Sequence, residues 1–245
     1  MNAAAPRVLA FATATRSHTG LVRTLNEDRL LARPDLGLWA VADGMGGHQA
    51  GEVASTLVVD TLDKVGRFSS GYGYLNAVCA GLQDVNGHLV RRAARLPGGG
   101  VIGATVVALL VFEGHYACVW AGDSRGYRLS GGRLAPITRD HSVVQELVEA
   151  GHLAPHEARG HYRANIVTRA VGAMPTLDLD VQHGDAAPGD VFLLCSDGLT
   201  GAVEDFELEA VLGGMDIEAA ADRLLALTLE RGAIDNVSFV LVRAG

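Results

Sequence analysis

The chain has 245 residues, 49% of them apolar and 20% charged, with a formal net charge of −8 at pH 7. That length suits one domain with a sizeable core, and the ordinary charged fraction excludes a disordered chain. The acidic balance argues against a nucleic-acid surface, which needs clustered Lys and Arg, and suits cation binding instead.

The longest apolar run, Val101 to Phe112, is too short for a membrane span and contains Gly103 and Thr105. Three cysteines, Cys79, Cys118 and Cys195, are odd in number and at no ligand spacing; they read as small core residues in a reducing, cytoplasmic compartment. Arg7 precedes a short apolar stretch that has no basic region ahead of it, so a first strand, Val8 to Thr15, is expected rather than a signal sequence. Ser17 to Gly20 then reads as a turn, and Arg23-Thr-Leu-Asn-Glu-Asp28 as a polar stretch.

The apolar run Leu36 to Ala42 leads into Asp43 and into glycines at 44, 46, 47 and 51. Beyond them Val53, Leu57, Val58, Leu62 and Val65 recur at helical spacing, giving buried strand, tight turn, helix. So many glycines are costly unless the chain turns sharply or something approaches its backbone closely. An aspartate followed by a bare peptide carbonyl can serve one hard cation; the alternative is an ordinary turn with a solvated acid.

Leu75, Val78, Leu82, Val85 and Leu89 predict a second amphipathic helix ending near Pro97. From Gly103 onward the pattern is β: Thr105 to Phe112, His115 to Ala121, Tyr127 to Leu129 and Arg133-Leu134, joined by turns short enough for antiparallel hairpins. Asp140 or Ser142 caps a helix carrying Val143, Val144, Leu147 and Val148. Gly151 to Ala164, rich in His and Arg, reads as an exposed, mobile insertion whose histidines lack zinc-site spacing. Val191 to Cys195 is a buried strand, Ile217 to Leu225 a helix, and Val237 to Val242 a further strand.

Three apolar strands stop at an acid followed by a small residue, at Asp43-Gly44, Asp123-Ser124 and Asp197-Gly198, and Asp235 directly precedes a strand. In antiparallel sheets the end of one strand and the start of its neighbour share an edge, so the four acids can converge. Gathered carboxylates repel unless cations neutralise them, and all-oxygen donors select hard ions, Mg²⁺ or Mn²⁺. Two such ions about 3.5–4 Å apart can share a water made nucleophilic at neutral pH. Arg23, four and five residues before Glu27 and Asp28, offers a planar donor for phosphate oxygens, although a solvated charge cluster is the plainer reading of that trio. Together these residues point to phosphoester hydrolysis.

In order along the chain, Arg23 to Asp28, Ala42-Asp-Gly-Met-Gly-Gly-His48 with Gly51-Glu52, Gly103-Ala-Thr105, Gly122-Asp-Ser-Arg125, Thr138-Arg-Asp-His-Ser142, Ser196-Asp-Gly-Leu199 and Asp235-Asn236 resemble the motifs of the metal-dependent, type 2C serine/threonine protein phosphatases of compact bacterial type. The resemblance runs from about Arg16 to Val242. It implies an α+β fold, a four-layer α-β-β-α sandwich of two antiparallel sheets flanked by helix pairs, as a single catalytic domain over residues 1–245. It further implies that Asp43 bridges two Mn²⁺ or Mg²⁺ ions, that the Gly44 carbonyl binds one, and that Asp197 and Asp235 bind the other. Asp123 matches the acid that, with Asp197, holds a weaker third ion in bacterial relatives. Glu27 and Asp28 match acids that contact waters on the metals, and Arg23 matches the phosphate-binding arginine. Residues 142–172 match a variable flap, to which His161 belongs. The implied partners are phosphorylated proteins, substrates of a serine/threonine kinase, met by a monomer that touches neither nucleic acid nor membrane.

Many eukaryotic members carry a histidine directly after the Asp-Gly pair, proposed as the acid that protonates the leaving alkoxide; Met45 stands there instead. A water on the metals, or secondarily His48, is then the expected proton source. Gly122-Asp-Ser-Arg-Gly126 also matches a serine-hydrolase elbow, but that motif requires a helix next, and a strand and turn follow. The rival class is a phosphopeptide-binding member without activity, which is expected to lack some ligand acids; all four aspartates and Arg23 are present here.

Overall fold

The structure, a computed structural model, describes residues 9–46, 50–97 and 100–245. Two five-stranded antiparallel sheets face each other. The first has the order β1 (Phe11–His18), β12 (Val237–Ala244), β11 (Val191–Cys195), β8 (Arg125–Ser130), β9 (Arg133–Pro136); the second β10 (Asp180–Asp185), β7 (His115–Ala121), β6 (Val106–Phe112), β3 (Leu38–Ala42), β2 (Arg29–Arg33). A two-residue pair, β4 (Gly44–Met45) with β5 (Gly103–Ala104), stands beside the second sheet.

Alternation along each inner strand explains the layering. Trp39 and Val41 pack between the sheets with Val107, Leu109, Phe192 and Leu194, whereas Leu38, Ala40 and Ala42 face the other way, onto α1 (Ala50–Asp63) and α2 (Gly71–Ala93). In the other sheet Val191, Leu193, Phe239 and Leu241 meet α5 (Asp205–Gly214) and α6 (Ile217–Glu230). Four layers, α-β-β-α, result. Because both faces of these strands are covered, they read as continuous apolar runs, although the pairing is antiparallel throughout. Among the described residues no helix is long and apolar enough to cross a membrane.

Several elements depart from the sequence reading. Ser17 and His18, read as turn, continue β1, while Val8 lies outside the described residues. β1 is an edge strand, so polar residues can point outward, and Arg16 reaches Glu218 and Asp222 on α6. Gly103 and Ala104 form β5 rather than leading straight into β6. β10, with sequence DVQHGD and a largely exposed edge position, carries no apolar alternation and was not predicted. α5 was also missed, as was α4 (Asp197–Thr200), a single turn directly after β11.

The topology sets the acids side by side. β3 and β7 both run antiparallel to β6 between them, so Asp43 and Asp123 leave the same end of the second sheet. β11 and β12 are antiparallel neighbours, so Asp197 after one and Asp235 before the other share an end of the first sheet.

Candidate active site

One cavity of about 270 Å³ opens at that common edge, lined by Arg23, Glu27, Asp43, Gly44, Asp123, Asp197 and Asp235, with Met45, Gly46, Thr105, Asn165, Val167 and Asn236. Seven of the sequence-predicted residues therefore meet in one place. Asp28 lies beneath them, buried, accepting a hydrogen bond from Ser196 Oγ at 2.8 Å. His161 is not brought in: its Nδ1 accepts from the Arg163 N–H at 3.2 Å, its ring stacks beside Tyr162, and the flap enters the cavity through Asn165 and Val167 instead. His48 lies outside the described residues.

The turns carrying these acids are locked to each other through backbone. A Cβ at Gly44 would run into the Gly51 carbonyl and lie 2.7 Å from the Glu27 oxygen, so the close approach anticipated for the glycine-rich stretch is made by the chain itself. Gly198 does the same against the Asn236 carbonyl, holding the Asp197 turn against the entry to β12. Thr105 donates from its backbone to the Asp43 carbonyl at 2.8 Å. Its hydroxyl accepts from the Asp43 N–H at 3.2 Å and shares a hydrogen bond with Ser124 Oγ at 2.7 Å. His141 fixes the Asp123 turn, receiving the Gly122 N–H on Nδ1 at 3.2 Å and returning its own N–H to the Gly122 carbonyl at 2.9 Å.

Electrostatically the site is short of positive charge. Burial, then the charges of Asp28, Asp197 and Asp123, hold the Asp43 carboxyl well above the usual range. Burial raises Asp28 to about 7 against the opposing hydrogen bonds from Ser196 and Ser238. Asp123 is likewise pushed to about 7 by burial and by Asp197, and Asp197 to about 6 by burial and by Asp235. The one guanidinium in the cavity, Arg23, is half exposed and donates from Nη2 to Asp235 Oδ2 at 2.8 Å.

The donor set fits hard cations. Every acidic donor is a carboxylate, and buried Asp28 Oδ1 and Asp197 Oδ1 have no hydrogen-bond partner, a cost that a coordinated ion removes. Among the described residues no three acids, histidines or cysteines already stand around a common point. Asp235 turns to Arg23. Charge and orphaned oxygens outweigh that arrangement, because this contact is a single side-chain hydrogen bond at the cavity wall.

Residues 20–226 match the family model described as protein phosphatase 2C. The chain belongs to the protein phosphatase 2C family. The serine/threonine protein phosphatase PstP of Mycobacterium tuberculosis is 38% identical over 231 residues, which is 93% of this chain. The chain spans only 44% of the length of that curated relative. PppA, described as a key regulatory component of T6SS in Pseudomonas aeruginosa, superposes with a TM-score of 0.89 at 46% identity, covering 96% of this chain and 98% of that one. The catalytic domain of PstP, solved in complex with 2 manganese ions, superposes with a TM-score of 0.86 at 35% identity, covering 97% and 99% of the two chains.

This 2C-family chain also uses residues to which the sequence analysis gave no role. Asn236 is buried and makes three bonds to one loop: Nδ2 donates to the Thr19 and Leu25 carbonyls, each at 2.9 Å, and Oδ1 accepts from the Glu27 N–H at 2.8 Å. Apart from their places in the quoted motifs, Asn236 and Thr105 each signal themselves only as a polar residue directly ahead of an apolar strand. Asn165 carries no signal at all. Arg125, in the quoted Gly122 to Arg125 stretch, grips Asp140 through Nε at 2.9 Å and Nη2 at 2.7 Å, behind the cavity.

Proposed function

We propose that the chain is a serine/threonine protein phosphatase catalytic domain, residues 1–245 with a flap at about 142–172, that hydrolyses phosphoserine and phosphothreonine in proteins with the help of Mn²⁺ or Mg²⁺. The observation that carries this reading is a cavity walled by partly buried, mutually repelling carboxylates with one arginine at its mouth. The manganese-bearing PstP structure supports the metal dependence. Asp43, the Gly44 carbonyl, Asp197 and Asp235 would hold two ions, and Asp123 with Asp197 a weaker third; Glu27 and Asp28 would steady their waters. Bound there, such ions supply neutralising charge and a water acidic enough to attack phosphorus at neutral pH.

The chain's own groups do the rest. Arg23 spends one N–H on Asp235 and keeps its remaining donors for the non-bridging phosphate oxygens. Met45 lines the cavity and has no proton to give the leaving alkoxide. His48 is the candidate from the chain: if it serves, replacing it slows phosphoserine hydrolysis far more than hydrolysis of an activated aryl phosphate, and equal slowing rejects it. The reading places the protein as a cytoplasmic monomer acting on substrates of a serine/threonine kinase.

Mn²⁺-dependent phosphate release from a phosphothreonine peptide, with Asp197→Asn as control, tests the proposal. Release that chelation abolishes and the variant lacks is expected. A peptide bound but never cleaved, equally by both proteins, would mean a binding module instead.

A further inference from the structure

α2 begins beside the hairpin turn between β6 and β7, where its first residues share a cavity with Phe112 and His115. Its 23 residues span about 35 Å, so its C-terminus reaches the opposite end of the sheet, the end that bears Asp43 and Asp123. One contact fixes this placement: Asn86 accepts from the Gly172 N–H at 2.7 Å and donates to the Met174 carbonyl at 3.0 Å, at the base of the flap.

Just beyond that contact His88, Arg91, Arg92, Arg95 and Leu96 line an open hollow of about 500 Å³. Several arginines elsewhere are engaged, Arg16, Arg29, Arg33, Arg125 and Arg128 among them pairing with acids. Among the described residues Arg91, Arg92 and Arg95 have no ion-pair or hydrogen-bond partner, and all three are exposed. The only acid in α2, Asp84, stands a turn before His88. Gly87, costly in mid-helix, leaves bare backbone on which the Arg91 guanidinium lies, so that a Cβ there would sit 3.1 Å from Nη1. Two basic residues in the last turn already complement the helix dipole; Arg95, past the helix end, and His88 are surplus to that role.

On a chain of net charge −8, with an acid-lined cavity, a local cationic hollow at the same end is the surface that can hold an anionic partner. We propose that this hollow docks an Asp/Glu-rich stretch of the phosphoprotein substrate, at a distance along its chain from the phosphorylated residue. The proposal rests on the phosphatase reading and names the substrate class for that site. Carboxylates suit the role because the enzyme cannot remove them, whereas a docked phosphate is itself open to hydrolysis.

The test compares phosphothreonine peptides carrying either an acidic or a neutral run at increasing separations, on the wild-type chain and on the Arg91→Glu/Arg92→Glu/Arg95→Glu variant. For the wild type at low salt, KM for the acidic peptide at the best separation should be about tenfold below that for the neutral one, with kcat unchanged; the variant should lose the difference. Aryl phosphate hydrolysis should be equal in both proteins. An Arg→Gln version of the same three positions, with its thermal melt, guards against misfolding and should give an intermediate KM. Equal KM values for the two peptides, or a preference that survives in the variant, overturns the proposal. So does discrimination only when the acidic run is replaced by further phosphothreonines, or preferential binding of duplex DNA or anionic vesicles. Anisotropy of a labelled acidic peptide without phosphate reads docking directly. Docking that is present while no peptide is hydrolysed would fail the phosphatase reading alone.

Discussion

Asp197 sits where burial and Asp235 both oppose its negative charge, so its carboxylate weakens the metal-free fold. Asp197→Asn should therefore raise the melting temperature of the metal-free protein, by roughly 2–4 °C for each kcal/mol of relieved repulsion, while erasing the stabilisation that Mn²⁺ confers on the wild type. Scanning fluorimetry with and without Mn²⁺ reads both effects, and a variant less stable than wild type in chelator would contradict the argument. Asn236 works in the opposite sense. Asn236→Ala strands the Thr19 and Leu25 carbonyls and the Glu27 N–H, at a cost of about 2–4 kcal/mol, and frees the loop that carries Arg23. Urea unfolding should shift accordingly, and KM for phosphopeptide should rise with it. The acids were legible in the sequence because each ends or begins an apolar run. Asn236 and Thr105 were not assigned roles, since a hydrogen bond to a distant backbone leaves no pattern in neighbouring residues.

Elements were legible where one or both of their faces are buried. β3, β6, β7, β11 and β12 announce themselves as apolar runs, and α2 and α6 as stripes. β10 did not, for as an edge strand it needs only backbone pairing with β7, and its side chains are largely exposed. α5 does bury Leu208, Val211 and Leu212 at helical spacing, but it lies between acids and Gly213-Gly214, which read as loop. Close packing between elements has a sharper consequence. Gly198→Ala forces the β11–α4 turn away from β12, since the added carbon meets the Asn236 carbonyl rather than a flexible side chain. Far-UV circular dichroism should stay near that of the wild type while the Mn²⁺ response is lost, whereas Ala at Gly214, in open space, should leave both unchanged.

Across the whole molecule the gathered acids give stability a pH dependence of definite sign. Asp28, Asp123 and Asp197 have folded-state values near 7, 7 and 6 against an ordinary 3.8, so the metal-free fold binds their protons more tightly than the unfolded chain does. Their stabilising contribution is complete below about pH 4 and lost as the pH rises through about 6 to 7. Melting temperature in chelator should fall between about pH 5 and 7.5, and saturating Mn²⁺ should reverse the fall; a flat profile in chelator would remove the electrostatic basis of the site. The order β1-β12-β11 has a further implication for synthesis. β12 comes later in the chain than every other strand, yet it must insert between two already made, and Asp235 and Asn236 arrive only with it. A polypeptide still emerging from the ribosome therefore holds its first sheet split and its acid edge incomplete until translation has delivered that strand.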